Sequence, residues 1–107
     1  MKARKNGEYW QISWIAGGNS HQFLGIIFSI TPVSETAFVV ETIGNEHPRI
    51  DQKLLRDAVQ HGLKQYANET GQVSFANTIR YVESDSPNYD QYSRLAYVLV
   101  EHWNDDV

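Results

Sequence analysis

The sequence predicts an α+β fold: a four-stranded sheet with two helices on one face, in the order β-β-β-α-β-α. Three observations carry this. Four segments alternate apolar and polar residues with period two, the signature of half-buried strands. The segment "DQKLLRDAVQHGLKQYAN" changes to helical spacing. Short polar or glycine-bearing links separate the elements, and no linker, repeat or low-complexity tract divides the chain, so residues 1–107 are read as one domain.

In order, residues 1–7 place Lys2, Arg4 and Lys5 before Asn6-Gly7 and are expected to form a flexible basic tail. From Glu8 to Ala16, Trp10, Ile12 and Trp14 point one way and Tyr9, Gln11 and Ser13 the other, which predicts the first strand. After the glycine-bearing loop, Leu24, Ile26, Phe28 and Ile30 share a face of the second strand, ended by Thr31-Pro32. Gly25, on the opposite face, marks a bulge or a close packing contact. "TAFVVETI" (36–43) is the third strand, and the short links suggest an antiparallel meander.

In the helical segment the apolar residues Leu54, Leu55, Ala58, Val59, Leu63 and Tyr66 make one stripe. Asp51 is the expected N-cap, and Gly71 lies just past the C-terminus. Gly62, on the apolar side, costs about 1 kcal/mol against Ala and implies close approach of another backbone. "QVSFANTIRYV" (72–82) is the fourth strand, with Val73, Phe75, Ile79 and Tyr81 on one face and Asn77 interrupting it. "DQYSRLAYVLVEHW" fits two descriptions: a strand in which Ala96, Val98 and Val100 alternate with Leu95, Tyr97 and Leu99, or a helix with Tyr92, Leu95, Ala96, Leu99 and Trp103 in a stripe capped by Ser86 or Asp90.

Composition narrows the function. The chain has no cysteine, which excludes disulfides and thiolate chemistry and fits a reducing, cytoplasmic location. No window approaches a membrane span, and no apolar stretch follows the basic N-terminus as a signal peptide requires. The net charge of −4 opposes nucleic-acid binding by bulk electrostatics, although a local basic patch is compatible with it.

The stretch "WIAGGNSHQFLGIIF" poses the functional question, because its loop of Gly17, Gly18, Asn19, Ser20 and His21 could cradle a phosphate, hold a metal, meet a partner or turn the chain. It lacks both GxxxxGK[ST] and GxGxxG, and a strand rather than a helix follows it, so no nucleotide is expected. His21, His47, His61 and His102 show no metal-ligand spacing, and no metal is expected. Glu83, Asp85 and Asp90, among Ser84, Ser86 and Asn88, lack the EF-hand pattern and are read as a solvated loop. No serine stands in a GxSxG setting, and the Asn68-Glu69-Thr70 sequon carries no weight without a secretory signal. No catalytic residue and no cofactor are expected; an enzyme would need a pocket of converging polar side chains.

One colinear pattern goes further. "AGGNSHQFLGIIFSITP", through Gly17, Gly18, Gln22, Phe23 and Pro32, resembles domain IV of the elongation factor G group of translational GTPases, which includes the tetracycline-resistance ribosomal protection proteins. "FVVETIGNEHP" (38–48) resembles that family's strand leading into Gly and then Pro. "AVQHGLKQ" (58–65) resembles its Ala-Val-x-x-Gly-Ile helix, which accounts for Gly62, and "SRLAYVL" (93–99) its Ser-Glu-Leu-Ala-Phe helix. The likeness runs from about residue 8 to residue 103. It implies a fold like domain 2 of ribosomal protein S-five, with a left-handed βαβ crossover against the usual hand, and favours the helix for the last segment.

The family's GTPase domain and phosphate loop are not in this chain, so the resemblance implies no GTP hydrolysis. Asn19-Ser20-His21 also replaces a shorter link, and the family's tip His falls on Asn88, after Pro87. In the full factors domain IV enters the decoding site of the small ribosomal subunit. The resemblance therefore implies a non-catalytic module whose tip loops, 17–22 and 84–90, face a ribosome or a translation factor, with Gly17, Gly18, Asn19, Ser20, His21, Gln22, Ser86, Asn88 and Tyr89 as candidate contacts. The second loop carries Asp85 and Asp90 and no Lys or Arg, a charge that opposes rRNA phosphate. The alternative is a protein-interaction or homodimeric module that kept the fold and lost the ribosome, with an apolar patch from Tyr9, Tyr97 or Trp103.

Overall fold

The computed structural model describes residues 2–15 and 21–106. The elements are β1 (Arg4–Asn6), β2 (Tyr9–Ile15), β3 (His21–Ser29), β4 (Ala37–Glu41), α1 (Gln52–Thr70), β5 (Phe75–Val82) and α2 (Tyr89–Asp105). They form an α+β structure with one mixed sheet in the order β1-β2-β3-β5-β4. No helix among the described residues is long and apolar enough to cross a membrane.

The alternation in β2 and β3 is realised as expected. Ile12 lies opposite Leu24, and Leu24 and Ile26 lie opposite Tyr81 and Ile79 of β5, so these side chains share one face. They join Leu55, Val59, Leu63, Leu95, Ala96 and Leu99 of the helices in a single core. Ile30, expected to extend the β3 face, lies past the strand end and is 76% exposed.

Three expectations about the sheet are corrected. The sheet has five strands rather than four, because Arg4–Asn6, expected in a tail, pairs antiparallel with β2 across the turn at Gly7. The meander stops at β3: β4 pairs parallel with β5 at the far edge, and α1 makes the connection between them. In β5, the register against β3 steps from Ile27↔Thr78 to Phe28↔Ala76, leaving Asn77 as an extra residue. The extra residue reverses the face, so Ala76 rather than Phe75 joins Ile79 and Tyr81 in the core. Val73 precedes the strand and is 62% exposed.

Both termini of α1 follow their capping residues. The Asp51 side chain accepts from Lys53 and Leu54 N–H, and Gly71 closes the helix at φ 78°. Leu54 falls beside the stripe and is exposed; the buried face is Leu55, Ala58, Val59, Gly62, Leu63 and Tyr66. The last segment is a helix, α2, capped by Asn88, whose side chain accepts from Gln91 N–H, and not by Ser86 or Asp90.

The helices meet through small residues. A Cβ on Gly62 would sit 2.2 Å from the Ser93 carbonyl oxygen and 3.1 Å from the Ala96 Cβ. The Ser93 hydroxyl donates to the Ala58 carbonyl at 2.8 Å. Tyr66 and Tyr97 pack edge to face beside this contact. Gly25 is a close-packing position: its ideal Cβ would lie 3.4 Å from both the Arg80 Cβ and the Tyr9 ring. There, on the sheet face away from the helices, Arg80 spans the Tyr9 and Phe23 rings and pairs with Glu41.

Gly62→Ala is expected to lower stability by about 3 kcal/mol in urea unfolding, because the carbonyl it meets belongs to a packed helix. Tyr92 gives an opposite case: its ring is fully buried and its hydroxyl has no partner among the described residues. Burial, with the Asp85 charge adding, pushes its phenol far above the ordinary value of 10.0, so the folded state holds the neutral form. That contribution is complete below the ordinary tyrosine range and is lost as pH rises above it. Tyr92→Phe is expected to leave neutral-pH stability unchanged or raise it by up to about 1 kcal/mol, and to flatten the alkaline decline.

Candidate functional site

The site lies at the end of the sheet where β3 begins and β5 ends. β5 pairs with β3 as far as Tyr81 opposite Leu24, and the chain then turns away through Glu83 and Ser84. The next inward-facing amide of β3, on Phe23, would be left without a strand to bond. The Asp85 carboxyl takes that place: its Oδ2 accepts from Phe23 N–H at 2.7 Å. Its Oδ1 lies 3.0 Å from His21 Nδ1. One step further along, Ser86 N–H donates to the His21 carbonyl at 3.0 Å.

Gln22 completes the join from the other face. Its amide nitrogen donates to the carbonyls of Ser86 (2.9 Å) and Asn88 (3.0 Å). The side chain is buried, and its Oε1 has no partner among the described residues. Tyr89 reaches across to the start of α1, where its hydroxyl accepts from Asp51 N–H at 3.0 Å. The 42–50 segment is fastened to the same place. Arg49 and Ile50 N–H both donate to the Glu83 carbonyl, and the Thr42 hydroxyl donates to the Glu83 carboxyl.

These ties correct the reading of 83–90 as a solvated loop at Ser84 and Asp85, whereas Pro87, Asn88 and Asp90 are exposed as expected. Asp85 is 5% exposed and Ser84 is also buried, because the carboxyl works inward as a substitute strand. His21 remains 43% exposed at its side chain. A carboxylate only accepts, so His21 Nδ1 carries the hydrogen in that bond, and Nε2 has no partner among the described residues. His21 and Asp85 line an open cleft of about 700 Å³ with Ser84, Ile43, Glu46, His47 and Arg49. No hydroxyl is hydrogen-bonded to His21 among the described residues, so the pair has no activated nucleophile beside it. Nor does any group of three His, Cys, Asp or Glu among the described residues converge as metal ligands. The cleft offers donors: His21, His47 and the Arg49 guanidinium.

The structure therefore brings together five of the residues singled out in the sequence, and it divides their roles. Gln22, Asn88 and Tyr89 hold the framework, while His21 and Ser86 are partly exposed on it. Gly17, Gly18, Asn19 and Ser20 lie outside the described residues. Sequence reasoning missed His47 and Arg49, which arrive from a link with no periodicity, and it missed Asp85 as a structural carboxyl. Of the aromatic residues expected in one apolar patch, Tyr9 lies on the open sheet face, whereas Tyr97 and Trp103 lie on α2 and pack on Tyr66 and Phe28. No protein-family model and no curated protein matches this chain.

Asp85→Ala leaves Phe23 N–H without a partner at the end of β3 and is expected to cost about 2–3 kcal/mol in urea unfolding. His21→Ala removes only the half-exposed arm of the pair and is expected to cost less than about 1 kcal/mol in the same assay.

Proposed function

We propose that this chain is a non-catalytic binding module with the architecture of elongation factor G domain IV, including its left-handed crossover, and that it presents the His21 end to a ribosome or a translation factor. The single observation that carries the reading is the inward turn of Asp85. It ties the Asp85 carboxylate to Phe23 N–H and His21 at the cleft wall, where His21, His47 and Arg49 stand beside a single further carboxylate, Glu46. The acidic appearance of 84–90 thus overstates the negative charge met by an approaching phosphate backbone. A second cleft, lined by Lys2, Arg4, Gln11 and Ser13, reaches the same end at Phe23 and adds cations.

Three further features support the architecture. After the edge strand β1, the elements follow the order β-β-β-α-β-α, with α1 linking the parallel β4–β5 pair. The resemblance motifs on the two helices also meet each other, Gly62 against Ser93 and Ala96. Gln22, from the Gly-Gly-loop motif, binds the second tip loop to the first.

A different observation favours the second reading, a self-associating module. β4 is an edge strand, and its Val39 and Val40 are 41% and 40% exposed, with Ile43 exposed beyond them. In this reading a second copy pairs along β4.

Co-sedimentation with 30S and 70S particles separates the two. The ribosomal reading predicts pelleting at low salt that weakens as salt rises, and a marked loss for the His21→Ala, Arg49→Ala double variant, which leaves Gln22 and Asp85 in place. Absence of pelleting at low salt, with a dimer mass by light scattering that Val39→Lys returns to monomer, selects self-association instead.

A further inference from the structure

A second cavity lies at the opposite end of α1, away from the His21 cleft. It is a groove of about 440 Å³ between α1, the 72–74 link and the start of β5. Its walls are mainly apolar: Val33, Leu63, Ala67, Val73, Phe75 and Ala76. A mostly apolar concavity of this size with a few placed polar groups is the usual form of a small-molecule site.

Two polar features set its chemistry. Ser74 lines the groove, is 7% exposed, and its hydroxyl has no hydrogen-bond partner among the described residues. A buried hydroxyl without a partner is costly, so it favours a ligand that supplies one. The other hydroxyl in the wall, on Thr36, is already committed to the Ala76 carbonyl at 2.9 Å. Lys64 is the charged side chain in the lining, and it forms no ion pair among the described residues. Gln60 and Asn68, which share the rim, are neutral. Neither Asp nor Glu is among the described residues of the wall, so Lys64 meets no opposing charge in the lining.

We infer that this groove binds a small amphipathic carboxylate, with its apolar body against Leu63, Ala67, Phe75 and Ala76, its carboxylate paired with Lys64, and one carboxylate oxygen accepting from the Ser74 hydroxyl. The inference is independent of the proposed function, since no residue of the groove belongs to the His21 end.

The test is an amide NMR titration of the full chain with decanoate, and with decan-1-ol as the uncharged match. The expected result is saturable shifts confined to the amides around Leu63, Ala67 and residues 73–76, with decanoate binding more tightly than decan-1-ol. Lys64→Gln, at an exposed helix position, is expected to weaken decanoate by up to about fivefold and leave decan-1-ol unchanged. Ser74→Ala, which removes an orphan group, is expected to keep the fold and weaken decanoate about tenfold. Ala67→Phe fills the groove and should abolish both. Shifts scattered over the surface without saturation, equal affinity for the alcohol and the acid, or decanoate affinity unchanged in Ser74→Ala would each overturn the inference.

Discussion

A carboxyl turned inward at the end of a strand holds this molecule's functional end together. β5 stops pairing at Leu24, three residues from the start of β3, and Asp85 continues the ladder at Phe23 with a side chain in place of a backbone carbonyl. Several features depend on that substitution. It fixes the His21 ring through Nδ1, sets the return of the chain at Ser86, and brings the Asn88 carbonyl within reach of Gln22. Asn88 then caps α2, and Tyr89 bonds the backbone at Asp51, the cap of α1. A single polar junction thereby connects the end of the central strand to both helix N-termini. A backbone amide bonded to a buried carboxylate is a strong arrangement, because both groups have left water and have little alternative.

The two sheet faces are closed by different physics. On one, the helices approach closely because Gly62, Ala58, Ser93 and Ala96 are small, which lets the stripes of both reach Leu24, Ile26 and Ile79. The stabilisation there is burial of apolar area. On the other, no layer covers the sheet. Arg80 lies across it between two aromatic rings with Glu41 at its head, and Gly25 leaves room beneath. Cation–π contacts and a partly exposed ion pair are weaker than a core, so this face contributes order more than stability.

Much of this was legible in the sequence, for reasons that can be stated. Period-two alternation located β2, β3 and β5, and the helical stripe, Asp51, Gly62 and Gly71 located α1 and its contacts, because local geometry dictates those patterns. β1 escaped because three polar residues at an edge show no alternation. The parallel placement of β4 escaped the periodicity, because strand pairing across a helix leaves no mark in either strand; only the βαβ crossover implied by the resemblance pointed to it. The break at Asn77 was visible, but its meaning as a bulge that reverses the face needed the β3 register. At the site, His21, Gln22, Ser86 and Asn88 stood out as residues of two loops. Asp85 read as solvated because acidic residues among serines usually are, and only the unpaired amide of a distant strand reveals its role.

Hydrogen exchange at the Phe23 amide tests the central claim most directly. That amide has no strand partner on its side, and its protection rests on the Asp85 carboxyl. The account predicts exchange as slow as that of the neighbouring core amides of β3, and fast exchange at Phe23 alone in Asp85→Ala, which removes the acceptor, relative to those neighbours. Fast exchange at Phe23 in the wild-type chain, with the β3 core protected, would contradict it.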